Sequence, residues 1–285
     1  MAKTAFLKAS SYKREGVDYD GMARKGTGPI QGRQFEGCHG YEREKALSHK
    51  KVYFVTTHSP DEIAVLQKVK PPRLLCSYWY FKNRPLDAFC ETLGYKPEIM
   101  LDSGAYSARA AGKNVNLLDY MDYIEANSAF ISRYISLDVI GDDMLTRVFY
   151  KVMCMKGLDP IPVFHYGGEQ ETLRYYLDRG KTTIALGGTV PVSDKARIVR
   201  WCETLSRENP GVQFHLLGST SSKLLVCESI ASCDASTWYM QAVNGSPAYI
   251  PGKTKEAKRR RAEANLFELM GRFDDFSIPN NHSGV

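Results

Sequence analysis

Several short apolar runs in this chain end in residues that could do chemistry, and three of them end in a carboxylate. Ile99-Met100-Leu101 runs into Asp102-Ser103-Gly104-Ala105-Tyr106. Ile135-Ser136-Leu137 runs into Asp138, and Ile230-Ala231-Ser232-Cys233 into Asp234-Ala235-Ser236. Three more end in turns: His165-Tyr166-Gly167-Gly168, Gly187-Gly188-Thr189 and Gly218-Ser219-Thr220. A strand that delivers an acid onto a Gly-containing turn puts the carboxylate at the rim of a sheet, where α/β folds carry their chemistry. Two or more carboxylates across one mouth suit glycosidic chemistry, in which one attacks the anomeric carbon and another moves protons on the leaving group. Glycines in the neighbouring turns let a flat ligand approach the backbone closely. Taken singly, each Asp also suits the N-cap of a following helix or a simple turn; three acids at eight strand ends read better as a set.

The same residues have a competing use. Asp102, Asp138, His165, His215 and Asp234 could form a mixed nitrogen and oxygen metal site, as in metal-dependent barrel hydrolases. Against it, no His-x-His or His-x-x-x-His pair follows a strand, and His215 lies mid-strand as a core or lumen histidine does; no metal and no cofactor is expected. Gly-x-Ser-x-Gly is absent, and Cys233 alternates away from Asp234, as a buried core thiol does. Aromatic residues follow the same strand ends: Tyr78, Trp79 and Tyr80, Tyr106, Tyr166, and Trp238 with Tyr239. In loops at a mouth they offer flat faces on which a nucleobase stacks, and Asp138 with nearby backbone groups could read the base edge; packing under long loops is their ordinary use.

The elements that must position these residues follow from the hydrophobic pattern. Strands are predicted over 52–55, 74–78, 99–102, 134–138, 161–165, 182–186, 213–217 and 230–235. Helices are predicted between them, over 60–69, 86–93, 117–126, 143–156, 169–179, 194–208 and 221–229, and a final one over 255–273. Eight β-α units of about 25 residues predict a closed parallel (β/α)8 TIM barrel. An open doubly wound sheet is the other arrangement, and the missing Gly-x-Gly-x-x-Gly fingerprint speaks against it.

Residues 1–51 are rich in Gly, Lys and Arg and read as a basic N-terminal arm or cover; 52–285 read as the barrel with its C-terminal helix. The formal net charge is +6, and a second basic run, Lys253 to Arg261, lies near the other end. Two basic ends suggest an anionic polymer as partner, with Lys255, Lys258, Arg259, Arg260 and Arg261 as candidate nucleic-acid contacts. No apolar run is long enough for a membrane span and no secretory h-region opens the chain. Seven scattered cysteines without Cys-x-x-Cys spacing fit a reducing compartment, so a cytoplasmic protein is expected.

Taken in order from 52 to 238, the set Leu101-Asp102-Ser103-Gly104-Ala105-Tyr106-Ser107, Leu137-Asp138, Tyr166-Gly167-Gly168, Ala185-Leu186-Gly187-Gly188, Leu216-Leu217-Gly218 and Cys233-Asp234 resembles the tRNA-guanine transglycosylase superfamily. That family carries Asp-Ser-Gly-Gly-Phe-Gln after its third strand, an Asp after the fourth, Gln-Gly-Gly after the fifth, Gly-Gly after the sixth, Leu-x-Gly after the seventh and Phe-Asp on the eighth. Here Ala105, Ser107 and Tyr166 replace Gly, Gln and Gln, and the Cys-x-Cys-x-x-Cys zinc subdomain after the eighth strand is missing. These departures are most similar to the DpdA-type DNA-guanine transglycosylases, compact members of which occur in phages and whose host would supply the cytoplasm.

The resemblance implies an enzyme that exchanges guanine in DNA for a free 7-deazaguanine base such as preQ0. It implies Asp234 as nucleophile and Asp102 as acid/base. Asp138 would read the amino edge of the base, Gly187 and Gly188 would contact it through their backbone, and Tyr106 would stack on it. Ser103, Gly104, Gly167 and Gly168 belong to the same substrate-binding motifs, and Tyr166 is a candidate without a matched role. A monomer or weak dimer is implied, because the missing zinc region is part of the family's dimer contact. The same chemistry on tRNA, or a non-catalytic nucleic-acid-binding subunit on the same barrel, are the alternatives.

Overall fold

The computed structural model describes residues 49–190 and 192–273. Eight strands alternate with helices. They are β1 (Lys51–Thr56), β2 (Arg73–Ser77), β3 (Glu98–Asp102), β4 (Ile131–Tyr134), β5 (Val163–His165), β6 (Thr183–Gly187), β7 (Gln213–Leu216) and β8 (Ile230–Ala235). All pairings are parallel, in the order β4-β3-β2-β1-β8-β7-β6-β5. The two ends of that order meet through a parallel bridge between Ile135 and Ile161, where Ser136 N–H donates to Ile161 O at 2.8 Å and Ile161 N–H to Tyr134 O at 2.8 Å. The fold is therefore a TIM-barrel-like α/β ring, as the strand spacing predicts.

Helices fill the connections: α1 (Pro60–Val69), α2 (Tyr78–Phe81), α3 (Leu86–Leu93), α4 (Ala105–Ala110), α5 (Leu117–Ala126), α6 (Asp143–Met155), α7 (Gln170–Leu177), α8 (Lys195–Glu208), α9 (Ser222–Leu225), α10 (Thr237–Val243) and α11 (Lys255–Arg272). Local chemistry sets their ends. Ser59 caps α1 in a reciprocal capping box with Glu62, Pro60 opens the first turn, and Lys70 leaves it in a left-handed conformation. Asn116, Asp142, Asp194 and Thr254 cap α5, α6, α8 and α11 through their side chains.

Strand alternation sorts side chains onto two faces. Tyr53, Leu75, Met100, Ile135, Ile161, Val163 and Ala185 fill a small inner cluster. Val52, Phe54, Leu74, Ile99, Leu101, Phe164, Leu186, Phe214 and Cys233 face the other way, into the main core beneath the helices. Each such side chain, fully buried, contributes about 1.5–3 kcal/mol. Two residues on from Met100, Val163 and Ala185 along the inner face come Asp102, His165 and Gly187, at the carboxyl ends of their strands.

Several boundaries differ from the sequence expectation. β4 ends at Tyr134, not Asp138, so Asp138 sits on the loop that follows. β5 begins at Val163 because Pro160 and Pro162, which lack N–H groups, flank Ile161 and leave it an isolated bridge. The predicted helix over 221–229 is a single turn, and the carbonyls of Cys227 and Glu228 instead accept Lys50 Nζ at 3.1 and 3.0 Å. Segments read as aromatic loops, after β2, β3 and β8, hold the short helices α2, α4 and α10. The basic arm lies outside the described residues except for its last three, and there Lys50 is buried and Lys51 opens β1. Among the described residues, no helix is long and apolar enough to cross a membrane.

Candidate active site at the carboxyl ends of the strands

Asp102 is the last residue of β3 and opens a tight turn. Its Oδ2 accepts the Gly104 N–H at 2.8 Å. Gly104 has φ 74°, and a Cβ there would lie 2.3 Å from Ser77 Oγ and 2.5 Å from Trp79 Cβ, so the position admits only glycine. Ser103 is fully buried, and its Oγ accepts the Ala105 N–H at 3.2 Å, which starts α4. The Ser103 hydroxyl and the Gly104 backbone shape the turn that aims Asp102. Burial pushes the Asp102 carboxyl up to about 7, helped by the charge of Asp138 and, less strongly, of Asp234; the N–H groups of Gly104 and Ser103 pull the other way. Asp102 and Asp234 lie on the same inner face, two residues on from Met100 and in register with Tyr53, and Asp138 follows β4 at the same end of the ring.

Asp234 lies on β8, 6% exposed, and its Oδ1 accepts the Gly218 N–H at 2.8 Å. His215, fully buried beside it, has Nδ1 2.8 Å from Ser232 Oγ and Nε2 3.5 Å from Asp234 Oδ1. That last separation is an ion-pair distance, too long for a good hydrogen bond, and Nε2 makes no other. His215 is a lumen histidine, as expected from its mid-strand place, and Cys233 is fully buried on the opposite face.

Asp138 does not stand alone. Its Oδ2 lies 3.0 Å from His165 Nε2, and the other ring nitrogen, Nδ1, lies 3.2 Å from Asp143 Oδ1. Burial works against a charged His165, but the hydrogen bonds to Asp138 and Asp143 outweigh it and raise its pKa to about 9. The same bond with His165 holds Asp143 below the usual carboxylate value against the opposing effect of burial, with the Glu169 N–H adding to it. In the sequence Asp143 stands out only as the first residue of a predicted helix. The available signal was the doubled acid: Asp142 already caps α6 by accepting the Leu145 N–H at 2.8 Å, which leaves the second carboxylate without a capping task.

The glycines fall into two groups. Gly187 and Gly168 make room for this cluster: a Cβ at Gly187 would come 2.8 Å from His165 Cδ2, and one at Gly168 would come 2.6 Å from Asp143 Oδ2. Gly188 (φ 73°) and Gly167 (φ 77°) need the left-handed region for their turns. Gly187 O also accepts the Tyr166 N–H at 2.9 Å, tying the fifth and sixth turns together.

The aromatic set divides as well. Tyr106 is 67% exposed on α4. Trp79 is half-buried, with Lys82 Nζ 4.3 Å from its ring centroid. Tyr78 and Trp238 are buried; Trp238 Nε1 donates to Val55 O at 2.9 Å. Tyr166, the candidate without a matched role, packs edge-on against Trp201 of α8 at 5.3 Å, so its ring belongs to the barrel wall.

The C-terminal basic run needs a correction. Arg261 is 3% exposed, and its guanidinium donates to the carbonyls of Ala242, Ile250 and Gly252 at 2.9, 3.0 and 2.8 Å. Arg259 pairs with Asp61 of α1, Nη2 to Oδ1 2.7 Å. Both are engaged within the fold because α11 packs on α10 and α1 and its first two turns cross that seam. Lys255 and Arg260 are exposed and Lys258 is half-buried. Among the described residues, no group of three or more His, Cys, Asp or Glu side chains is arranged to hold a metal ion.

No family model and no curated protein sequence matches the chain. Solved structures that share its trace at low identity include the YdjI aldolase from Escherichia coli K12, 12% identical over 83% of this chain and 96% of that one, TM-score 0.48. Fructose-bisphosphate aldolase from Campylobacter jejuni is 13% identical over 82% and 92%, TM-score 0.48. The carboxyl transferase domain of Rhizobium etli pyruvate carboxylase is 15% identical over 82% and 50%, TM-score 0.40. None of these three is a transglycosylase, and TIM barrels host many unrelated chemistries.

Proposed function

We propose that this chain is an enzyme that exchanges guanine in DNA for a free 7-deazaguanine base, through a covalent intermediate on Asp234. The observation that carries the reading is the pairing of two differently placed acids at one mouth. Asp102, two residues on from Met100, and Asp234, paired in register with Tyr53, both lie on the inner face near the carboxyl ends of their strands; burial, with the charges of Asp138 and Asp234, pushes Asp102 up to about 7, and Asp234 accepts the Gly218 N–H. Two carboxylates set apart by their surroundings is the pattern of glycosidic chemistry with a nucleophile and a separate acid/base.

In the first half-reaction the Asp234 carboxylate attacks C1′ of the target nucleotide. The C1′–N9 bond breaks, its electron pair leaves with guanine, and protonated Asp102 gives the departing base its proton. In the second half, Asp102, now ionised, takes a proton from the incoming base, whose freed nitrogen attacks C1′ and displaces Asp234. An acid/base titrating near 7 serves both directions. The target nucleotide must leave the helical stack to reach the mouth. Tyr106 offers it an exposed ring, and Lys255, Lys258 and Arg260 are available for phosphates.

The test follows incorporation of labelled guanine, and of a preQ0-type base, into duplex DNA and tRNA side by side, with gel detection of a protein–DNA adduct when the incoming base is withheld. Exchange and adduct on DNA are expected. Exchange on tRNA alone transfers the chemistry to that polymer, and exchange on neither overturns the reading.

A further inference from the structure

His165 moves no proton in this scheme, yet both of its ring nitrogens are engaged. It is 7% exposed and meets a carboxylate at each ring nitrogen, Asp138 at 3.0 Å and Asp143 at 3.2 Å. A ring that faces an acceptor on both sides carries a proton on both nitrogens. The arrangement is built from five places in the chain: the loop after β4, the start of α6, the end of β5, the turn that follows it, and the end of β6. Gly187 and Gly168 leave the space that the ring and Asp143 occupy, and Glu169 N–H fixes Asp143 Oδ2 at 3.1 Å. The charged and titratable groups around His165 are Asp138 and Asp143 in contact. Asp102 lies on Asp138's side, and Tyr176 lies within range of Asp138, Asp143 and Arg147, the last of which pairs with Glu171.

We propose that His165, held as an imidazolium between Asp138 and Asp143, is a positioning residue that decides which base edge Asp138 reads. It takes one lone pair of Oδ2 and leaves Oδ1, with the second lone pair of Oδ2, as acceptors for a base that offers an amide N–H beside an amino N–H. The inference rests on the base-exchange reading for the identity of the ligand. An ionised carboxylate accepts and cannot donate, so it favours guanine and 7-deazaguanines, which present two adjacent donors, over hypoxanthine, which lacks the amino group, and adenine, whose ring nitrogen is an acceptor there. Asp143 is the anchor that keeps the ring aimed and charged.

Equilibrium dialysis of labelled guanine against the full-length protein, with hypoxanthine and adenine as competitors, tests this from pH 6 to 10. Asp143→Asn is the informative variant because Asp142, not Asp143, caps α6. The wild-type advantage over Asp143→Asn, a ratio in which the titrations of Asp102 and of the base itself are shared, should hold through neutrality and fade as pH rises through about 9, where His165 loses its proton. Asp143→Asn should weaken guanine about tenfold at pH 8 and narrow the preference over hypoxanthine. Nitrogen NMR of the His165 ring should show both nitrogens protonated at pH 8 in wild type and one in the variant. Unchanged affinity, selectivity and ring protonation in Asp143→Asn overturn the proposal, and so does a wild type that binds no guanine. Guanine binding with this Asp143 dependence but no exchange on DNA or tRNA upholds the positioning role and overturns base exchange. Exchange whose KM, kcat and pH profile are identical in Asp143→Asn does the reverse.

Discussion

Asp234 and Asp102 sit in surroundings that separate their tasks, and substitutions should separate them too. Asp234→Asn keeps an acceptor for the Gly218 N–H but removes the proposed nucleophile. Exchange should fall by about a thousandfold or more with no covalent adduct, while DNA binding by gel shift stays within about twofold; an adduct in this variant would move the nucleophile elsewhere. Asp102→Asn should also remove exchange, and it should stabilise the protein at neutral pH. The sign follows from linkage. A carboxyl whose folded pKa is raised from 3.8 to about 7 costs stability once ionised, so stability is full below about pH 4 and is lost as pH rises towards 7. Because the residue is only partly buried at the end of β3, screening reduces the cost to about 1–2 kcal/mol. Thermal melts of Asp102→Asn and wild type should coincide near pH 4 and separate by a few degrees at pH 8, the variant being the more stable.

At the scale of elements, the C-terminal helix α11 has two jobs divided along its own basic run. Arg261 closes the segment between α10 and α11 by donating to three carbonyls, so Arg261→Met strands buried acceptors and should cost about 2–4 kcal/mol in denaturant titrations. The triple variant Lys255→Ala, Lys258→Ala, Arg260→Ala should leave the melting temperature within a degree or two. It should lower DNA affinity and reduce the slope of log Kobs against log salt by up to about 3. Equal salt slopes in this variant and wild type would remove α11 from the nucleic-acid contact. The run of cations in the sequence could not be divided this way. Asp61 and the carbonyls of 242, 250 and 252 are brought to it only by the packing of α11 on α10 and α1.

For the whole molecule, opposite pH windows meet at one mouth. His165, raised from 6.5 to about 9, contributes stability that is complete below about pH 6.5 and lost as pH rises through 9. Asp143, lowered, contributes stability above its ordinary value of 3.8 and loses it in stronger acid. His165→Gln should therefore be destabilised relative to wild type at pH 6, with the gap closing above pH 9 in thermal melts; a gap independent of pH would mean that packing alone, not the paired charge, holds the ring.

Much of this architecture is legible in the chain. Hydrophobic alternation and helical spacing placed eight β-α units, and the bounds of α1, α3, α5 and β8 coincide with the prediction, because capping residues and strand periodicity are local signals. The strand-end acids Asp102 and Asp234 were visible for the same reason. What required the folded ring was every contact between separate elements: the Ile135–Ile161 bridge, the burial of Arg261, the packing of Tyr166 on Trp201, and the clamp of Asp138 and Asp143 on His165. A sequence states which side chains a strand delivers to its end. Which of them meet, and how each shifts the protonation of the next, depends on distances that exist only when the barrel brings those ends together.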